Sequence, residues 1–212
     1  MAKSFSTVGR AMMAKILDPL GRRLVRAGIS PDAVTIIGTL GVVVGSVALV
    51  ARGYLLTGLL VVAASACTDM VDGAMARVKG VTNRFGAYLD STMDRIADGA
   101  IFGGLAFWLA TDGQGRAAAA ALLCLVAAQV VSYAKARAES LGADCSVGIA
   151  ERPERLVLIG VGTLLGGLGV PFALEIALWL LAALSVVTVV QRVLHVRGQL
   201  VAESVGHVEE ER

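Results

Sequence analysis

Histidine, cysteine and charge are scarce in this chain of 212 residues. The two histidines, His195 and His207, fall at a span boundary and in a polar tail, so neither reads as a ligand or a catalytic base. Cys67, Cys124 and Cys145 show no paired metal-type spacing, and two of them sit in apolar runs as small filler, so no disulfide framework is implied. Charged residues make up 17% of the chain and apolar ones 56%, with a mean hydropathy of +0.75, which excludes a soluble globular domain. High apolar content with a net charge of only +2 excludes disorder. The first 32 residues are basic and interrupted by Pro19, and they lack an apolar core followed by a small-residue cleavage site. They do not read as a secretory signal, and no nucleic-acid partner is expected.

What is present is a series of long apolar runs. A bilayer core about 30 Å thick needs about 20 helical residues to cross it. That ruler finds six candidate spans: 33–51, a second from 53 past Asp69 and Asp72, 86–111, 117–133, 156–174 and 176–191. The expected fold is an all-α integral membrane protein of six transmembrane helices with both ends on one side. An arm of residues 1–32 precedes a membrane domain over 33–198, and a polar tail over 199–212 is expected to fray.

Cytoplasmic loops collect Lys and Arg. The arm, the loop with Arg77 and Arg84, the loop from Lys135 to Arg155 and the flank with Arg192 and Arg197 together carry fifteen cations, against Arg52 and Arg116 on the other side. Both termini are therefore expected in the cytoplasm, and the plasma membrane is the expected location. Within the arm, Val8, Met12, Ile16, Leu20 and Leu24 recur every four residues, with the cations mostly elsewhere around the helix. That pattern predicts an amphipathic helix from Val8 to Arg26, lying flat and anchored on anionic headgroups.

The acids carry the chemistry. Asp69 and Asp72 are three apart on the second span, and Asp90 and Asp94 are four apart on the third, so each pair shares a helix face. Both pairs are expected in the cytoplasmic third of the membrane. Four ionised carboxylates there need counter-charge. With no Cys or His among them, the hard oxygen donors favour Mg²⁺, with Mn²⁺ as a substitute, and a two-metal site for phosphoryl transfer is the natural inference. Structural pairing with Arg77, Arg84 and Arg95, or a cation pathway through a transporter, are the alternatives for each acid taken singly.

In order, Asp69, Asp72, Gly73, Ala76, Arg77, Gly86, Asp90 and Asp94 spell DxxDGxxARx8GxxxDxxxD without a departure. This pattern resembles the signature of the CDP-alcohol phosphotransferases. The stretches GISPDAVTIIG, FGAYLDSTMDRIADG and SYAKARAESLG, followed by VGIAERPERL, are most similar to the actinobacterial phosphatidylinositol phosphate synthases. The resemblance implies transfer of a phosphatidyl group from CDP-diacylglycerol to a hydroxyl of myo-inositol phosphate, with release of CMP. It further implies that Asp69, Asp72 and Asp90 hold one metal ion, that Asp69, Asp90 and Asp94 hold a second, and that Asp94 is the general base. A homodimer in the lipid membrane is implied as well.

Nucleotide contacts follow from the same resemblance. Gly73 leaves room for the diphosphate beside the backbone, while for Ala76 and Gly86 helix packing is an equal reading. Arg77 offers a guanidinium fork for a phosphate or the cytosine ring. Pro31, Asp32, Ala33 and Val34 resemble the family's second nucleotide contact, although many members have Asn where this chain has Asp32. Asn83, with Thr82, is a weaker candidate.

A sugar phosphate needs a cationic pocket, and Ser132, Lys135, Arg155 and Arg192 are the residues expected to form it, with Arg137 and Arg152 ranked below. Glycerol 3-phosphate is equally anionic, so phosphatidylglycerophosphate synthase is the alternative enzyme. An intramembrane prenyltransferase is disfavoured by the complete motif, and a divalent-cation transporter is the non-enzyme alternative. The GxxxG pairs Gly41 with Gly45 and Gly162 with Gly166 are expected to pack helices, without indicating against what.

Overall fold

The computed structural model describes residues 17–79 and 84–210, with side chains through 78 and from 84 to 201. Among the described residues every regular element is helical. Helix α1 covers 17–26; the rest of the expected amphipathic helix, including Val8, Met12 and Ile16, lies outside the described residues. Helix α2 is Pro31–Val44, and its start is locally dictated. Ser30, in extended conformation, accepts the Ala33 amide at 3.1 Å, and Pro31 opens the helix with a preset φ and no amide to satisfy. A π turn at Gly45–Leu49 and a 3-10 turn at Val50–Arg52 prolong it.

Helices α3, Leu55–Ala66, and α4, Thr68–Lys79, are parted by Cys67 alone. Then come α5 at Arg84–Thr111, α6 at Gly115–Ser140, α7 at Arg152–Gly167 and α8 at Ala173–Glu210. Among the described residues, four stretches are long and apolar enough to cross a bilayer: Pro31–Arg52, Leu55–Val78, Gly115–Ser140 and Ala173–Val201. The other two expected spans are helical but fall short of that standard. The first half of α5 carries Asp90, Asp94, Arg95 and Asp98, and α7 has only 16 residues. Large apolar side chains such as Ile37, Leu60 and Val157 stand exposed, the reverse of what water would tolerate in such number. This is a multi-pass membrane protein.

One expectation about the ends needs correction. The tail does not fray at Gln199, because α8 runs on to Glu210; no proline follows, and leaving the bilayer is no reason for a helix to stop. The described part of the arm also touches protein. Gly21 is buried against α4, where a Cβ would lie 3.3 Å from the Met75 backbone nitrogen.

By internal packing the chain divides into two compact units, Met1–Val50 with Thr57–Ile101 and Ala51–Leu56 with Phe102–Arg212. In the first, α2 packs on α3 and α4 through its glycines. A Cβ on Gly38 would overlap the Thr68 hydroxyl, one on Gly41 the Ser65 hydroxyl, and one on Gly45 would come 3.0 Å from Val61. In the second, α8 packs against α6 and α7. A Cβ on Gly162 would overlap that of Ala177, and one on Gly166 would stand 3.3 Å from Leu174. Both GxxxG pairs are thus consumed within the chain, where small residues let helix backbones approach.

Candidate active site

The interruption at Cys67 sets the first acid. Thr68 begins a new helix, so Asp69 falls in the first turn of α4, where unpaired amides favour a carboxylate. The second span is therefore not the unbroken helix expected from sequence. One turn on, Asp72 is buried, 7% exposed, and it interacts electrostatically with Asp69 and with Asp90 of α5. Asp69 and Asp94 are half-buried and Asp90 is exposed. Asp94 lies 3.5 Å from the Arg95 guanidinium.

Asp72 has a partner on α2. The Thr35 hydroxyl donates to its Oδ2 at 2.6 Å. That bond ties the turn that bears Pro31, Asp32, Ala33 and Val34 to the acid helix. Thr35 was not singled out from the sequence. The available signal was a hydroxyl one position after that turn, in an otherwise apolar run.

Gly73 faces open space: a Cβ there would meet only the end of Arg77, at 3.7 Å, so packing does not explain this glycine. Arg77 is exposed and stands 3.8 Å from Asp18 of α1. Asn83 and Thr82 lie outside the described residues.

These acids suit a hard divalent cation in donor chemistry: all are carboxylates, drawn from one face of each of two helices, and one is already oriented by a hydrogen bond. In the present rotamers no three His, Cys, Asp or Glu side chains among the described residues stand close enough to form a ligand set.

The cationic candidates belong to the second unit. Arg192 is 3% exposed and its guanidinium is engaged on three sides. Nη1 donates to the Val131 carbonyl, Nε to that of Val147 at 2.9 Å, and Nη2 meets Glu151 at 3.4 Å. Arg155, 2% exposed, directs Nη1 to the Ala150 carbonyl at 3.5 Å. The Thr188 hydroxyl accepts the Ala150 amide at 3.0 Å, and Gly148, at φ 138°, comes so near that any Cβ would strike Thr188. Arg155 and Arg192 thus converge on the segment 147–151.

Ser132, next to Val131 on α6, donates to the Ala128 carbonyl at 2.9 Å, and Lys135 is half-buried one turn on. Arg137 is exposed and turned toward Ser140. Further along the same connection, Gln199 clamps both backbone groups of Asp144, at 2.9 and 2.8 Å. The Ser146 hydroxyl holds the Asp144 carboxyl below its usual range.

The sequence pattern of the CDP-alcohol phosphatidyltransferases matches residues 28–191. The chain belongs to that family. The phosphatidylinositol phosphate synthase of Mycobacteroides abscessus is 47% identical over 192 residues, 90% of this chain and 87% of that protein. Among solved structures, the phosphatidylinositol phosphate synthase of Mycobacterium tuberculosis with CDP-DAG bound aligns with a TM-score of 0.82 at 46% identity, covering 86% of this chain and 94% of that one. The same enzyme in complex with manganese and citrate aligns with a TM-score of 0.80 at 46% identity, over 85% of this chain and 88% of that one. The match with the family begins just before the Pro31 turn and ends just before Arg192, so it contains the whole acid motif.

Proposed function

We propose that this CDP-alcohol phosphatidyltransferase transfers the phosphatidyl group of CDP-diacylglycerol to a hydroxyl of myo-inositol phosphate, yielding phosphatidylinositol phosphate and CMP. The observation that carries this reading is the complete DxxDGxxARx8GxxxDxxxD motif in a chain 47% identical, over 90% of its length, to a phosphatidylinositol phosphate synthase. In this reading all six long helices cross the plasma membrane, both termini are cytoplasmic, and the acids work at the cytoplasmic face. A homodimer is part of the same reading, and residues 1–32, 33–198 and 199–212 serve as arm, membrane domain and cytoplasmic end.

Asp69, Asp72 and Asp90 would hold one divalent ion and Asp69, Asp90 and Asp94 a second, Mg²⁺ or Mn²⁺. Bound there, such ions neutralise the donor diphosphate and acidify the attacking hydroxyl. Asp94 accepts that hydroxyl's proton as the bond to phosphorus forms and CMP leaves with the electron pair. Arg77, Gly73 and the Pro31–Val34 turn bind the nucleotide, joined by Asn83. Direct attack without a covalent enzyme intermediate is favoured, because positioning suffices to bring donor and acceptor in line.

Lys135, Arg155 and Arg192 provide counter-charge for the acceptor phosphate, and Ser132 contributes a hydroxyl. Pro153, near the start of α7, presets the helical φ there, and the N-terminal end of that helix favours an anion. Purified protein should release CMP only when CDP-diacylglycerol, a divalent metal and inositol phosphate are all present. Metal-dependent ion flux in vesicles without any nucleotide binding would replace this reading with a transporter.

A further inference from the structure

Thr35 is buried, 6% exposed, one turn into α2. Its hydroxyl has two acceptors in reach: the Pro31 carbonyl at 3.2 Å, the i−4 oxygen open to a helical threonine, and Asp72 Oδ2 at 2.6 Å. There is one proton to give. The shorter distance and the anionic acceptor assign it to Asp72. Thr35 could have satisfied itself within its own helix, so the bond serves the carboxylate more than the threonine. Nor is it needed to hold the helices together, since Gly38 and Gly41 already seat α2 against Thr68 and Ser65.

We propose that Thr35 is a positioning residue, whose hydroxyl fixes the orientation of the Asp72 carboxylate for divalent-metal binding and couples the nucleotide-contacting Pro31–Val34 turn to it. This rests on the reading that Asp72 is a metal ligand. Hydrogen-bonded partners of ligating carboxylates typically contribute 10- to 100-fold in metal affinity.

The test is a titration of the full-length detergent-purified protein with Mn²⁺, free Mn²⁺ being read by electron paramagnetic resonance, with and without CMP. Thr35→Val, which keeps the shape and removes the donor, should bind Mn²⁺ about 10- to 100-fold more weakly, and Thr35→Ser should restore affinity. The melting temperature of Thr35→Val should stay near that of the unaltered protein. Should Thr35→Val fail to fold, Thr35→Ala takes its place in the comparison with Thr35→Ser.

Unchanged Mn²⁺ affinity without the hydroxyl overturns the proposal, as does a Thr35→Ser protein as weak as Thr35→Val. Asp72→Asn separates the two levels. If it loses Mn²⁺ while Thr35→Val keeps it, positioning fails and the metal site stands. If Asp72→Asn itself binds Mn²⁺ normally, the underlying reading falls and the proposal with it.

Discussion

Asp94 stands 3.5 Å from the Arg95 guanidinium on its own helix, four residues beyond the motif acid Asp90. In the proposed reading Asp94 takes a proton without being needed to hold the nucleotide. Asp94→Asn should preserve CDP binding, followed by calorimetry, while CMP release falls about 10²- to 10⁴-fold; substantial residual turnover would exclude Asp94 as the base. Arg77 is a different case. Its contact with Asp18 is 3.8 Å long and 63% exposed on the arginine side, so it contributes at most about 1 kcal/mol. Asp18→Asn should therefore leave thermal stability nearly unchanged, whereas Arg77→Ala should weaken CDP binding.

The acids were legible at this scale because helical spacing alone puts each pair on one face. The role of Arg192 was not fully legible. Its charge is visible in the sequence, but its bonds to the Val131 and Val147 carbonyls, 61 and 45 residues away, depend on tertiary folding. Thr35 was missed for the same reason, since its partner lies 37 residues on.

Among the elements, the glycines separate packing from permissiveness. A side chain on Gly162 would overlap Ala177 across the α7 and α8 contact, while Gly198, farther along α8, has nothing within 4 Å. Gly162→Val should lower stability by about 1–3 kcal/mol, and Gly198→Ala should be neutral or stabilising by up to about 1 kcal/mol. Thermal melting of the two variants in one detergent checks both; equal melting points would contradict the packing assignment.

Sequence patterning located helical segments, since apolar runs bounded by Gly, Pro and charge are strong signals; four of the six expected spans are long and apolar enough to cross a bilayer. It missed the break at Cys67, where no Gly or Pro marks the restart and the local cue is only a Thr68 hydroxyl donating to the Ser65 carbonyl at 2.6 Å. It also ended α8 too early, because a fall in hydropathy marks a bilayer boundary and not a helix end.

Over the whole molecule, a net charge of +2 conceals a sorted distribution. Cations gather in the arm, in the Arg77–Arg84 and Lys135–Arg155 stretches and in the second half of α8, while four acids lie on α4 and α5 at helical spacings. Such sorting suits an enzyme that draws an anionic acceptor to a lipid diphosphate. Reporter fusions at both ends should give cytoplasmic signals. An external C-terminus would break the six-span count.

The acceptor is the central claim, and a competition decides it: purified protein with CDP-diacylglycerol and Mg²⁺, offered equal concentrations of inositol phosphate and glycerol 3-phosphate, with the lipid product identified by mass spectrometry. Phosphatidylinositol phosphate is the expected product. Phosphatidylglycerophosphate as the dominant lipid would contradict the account.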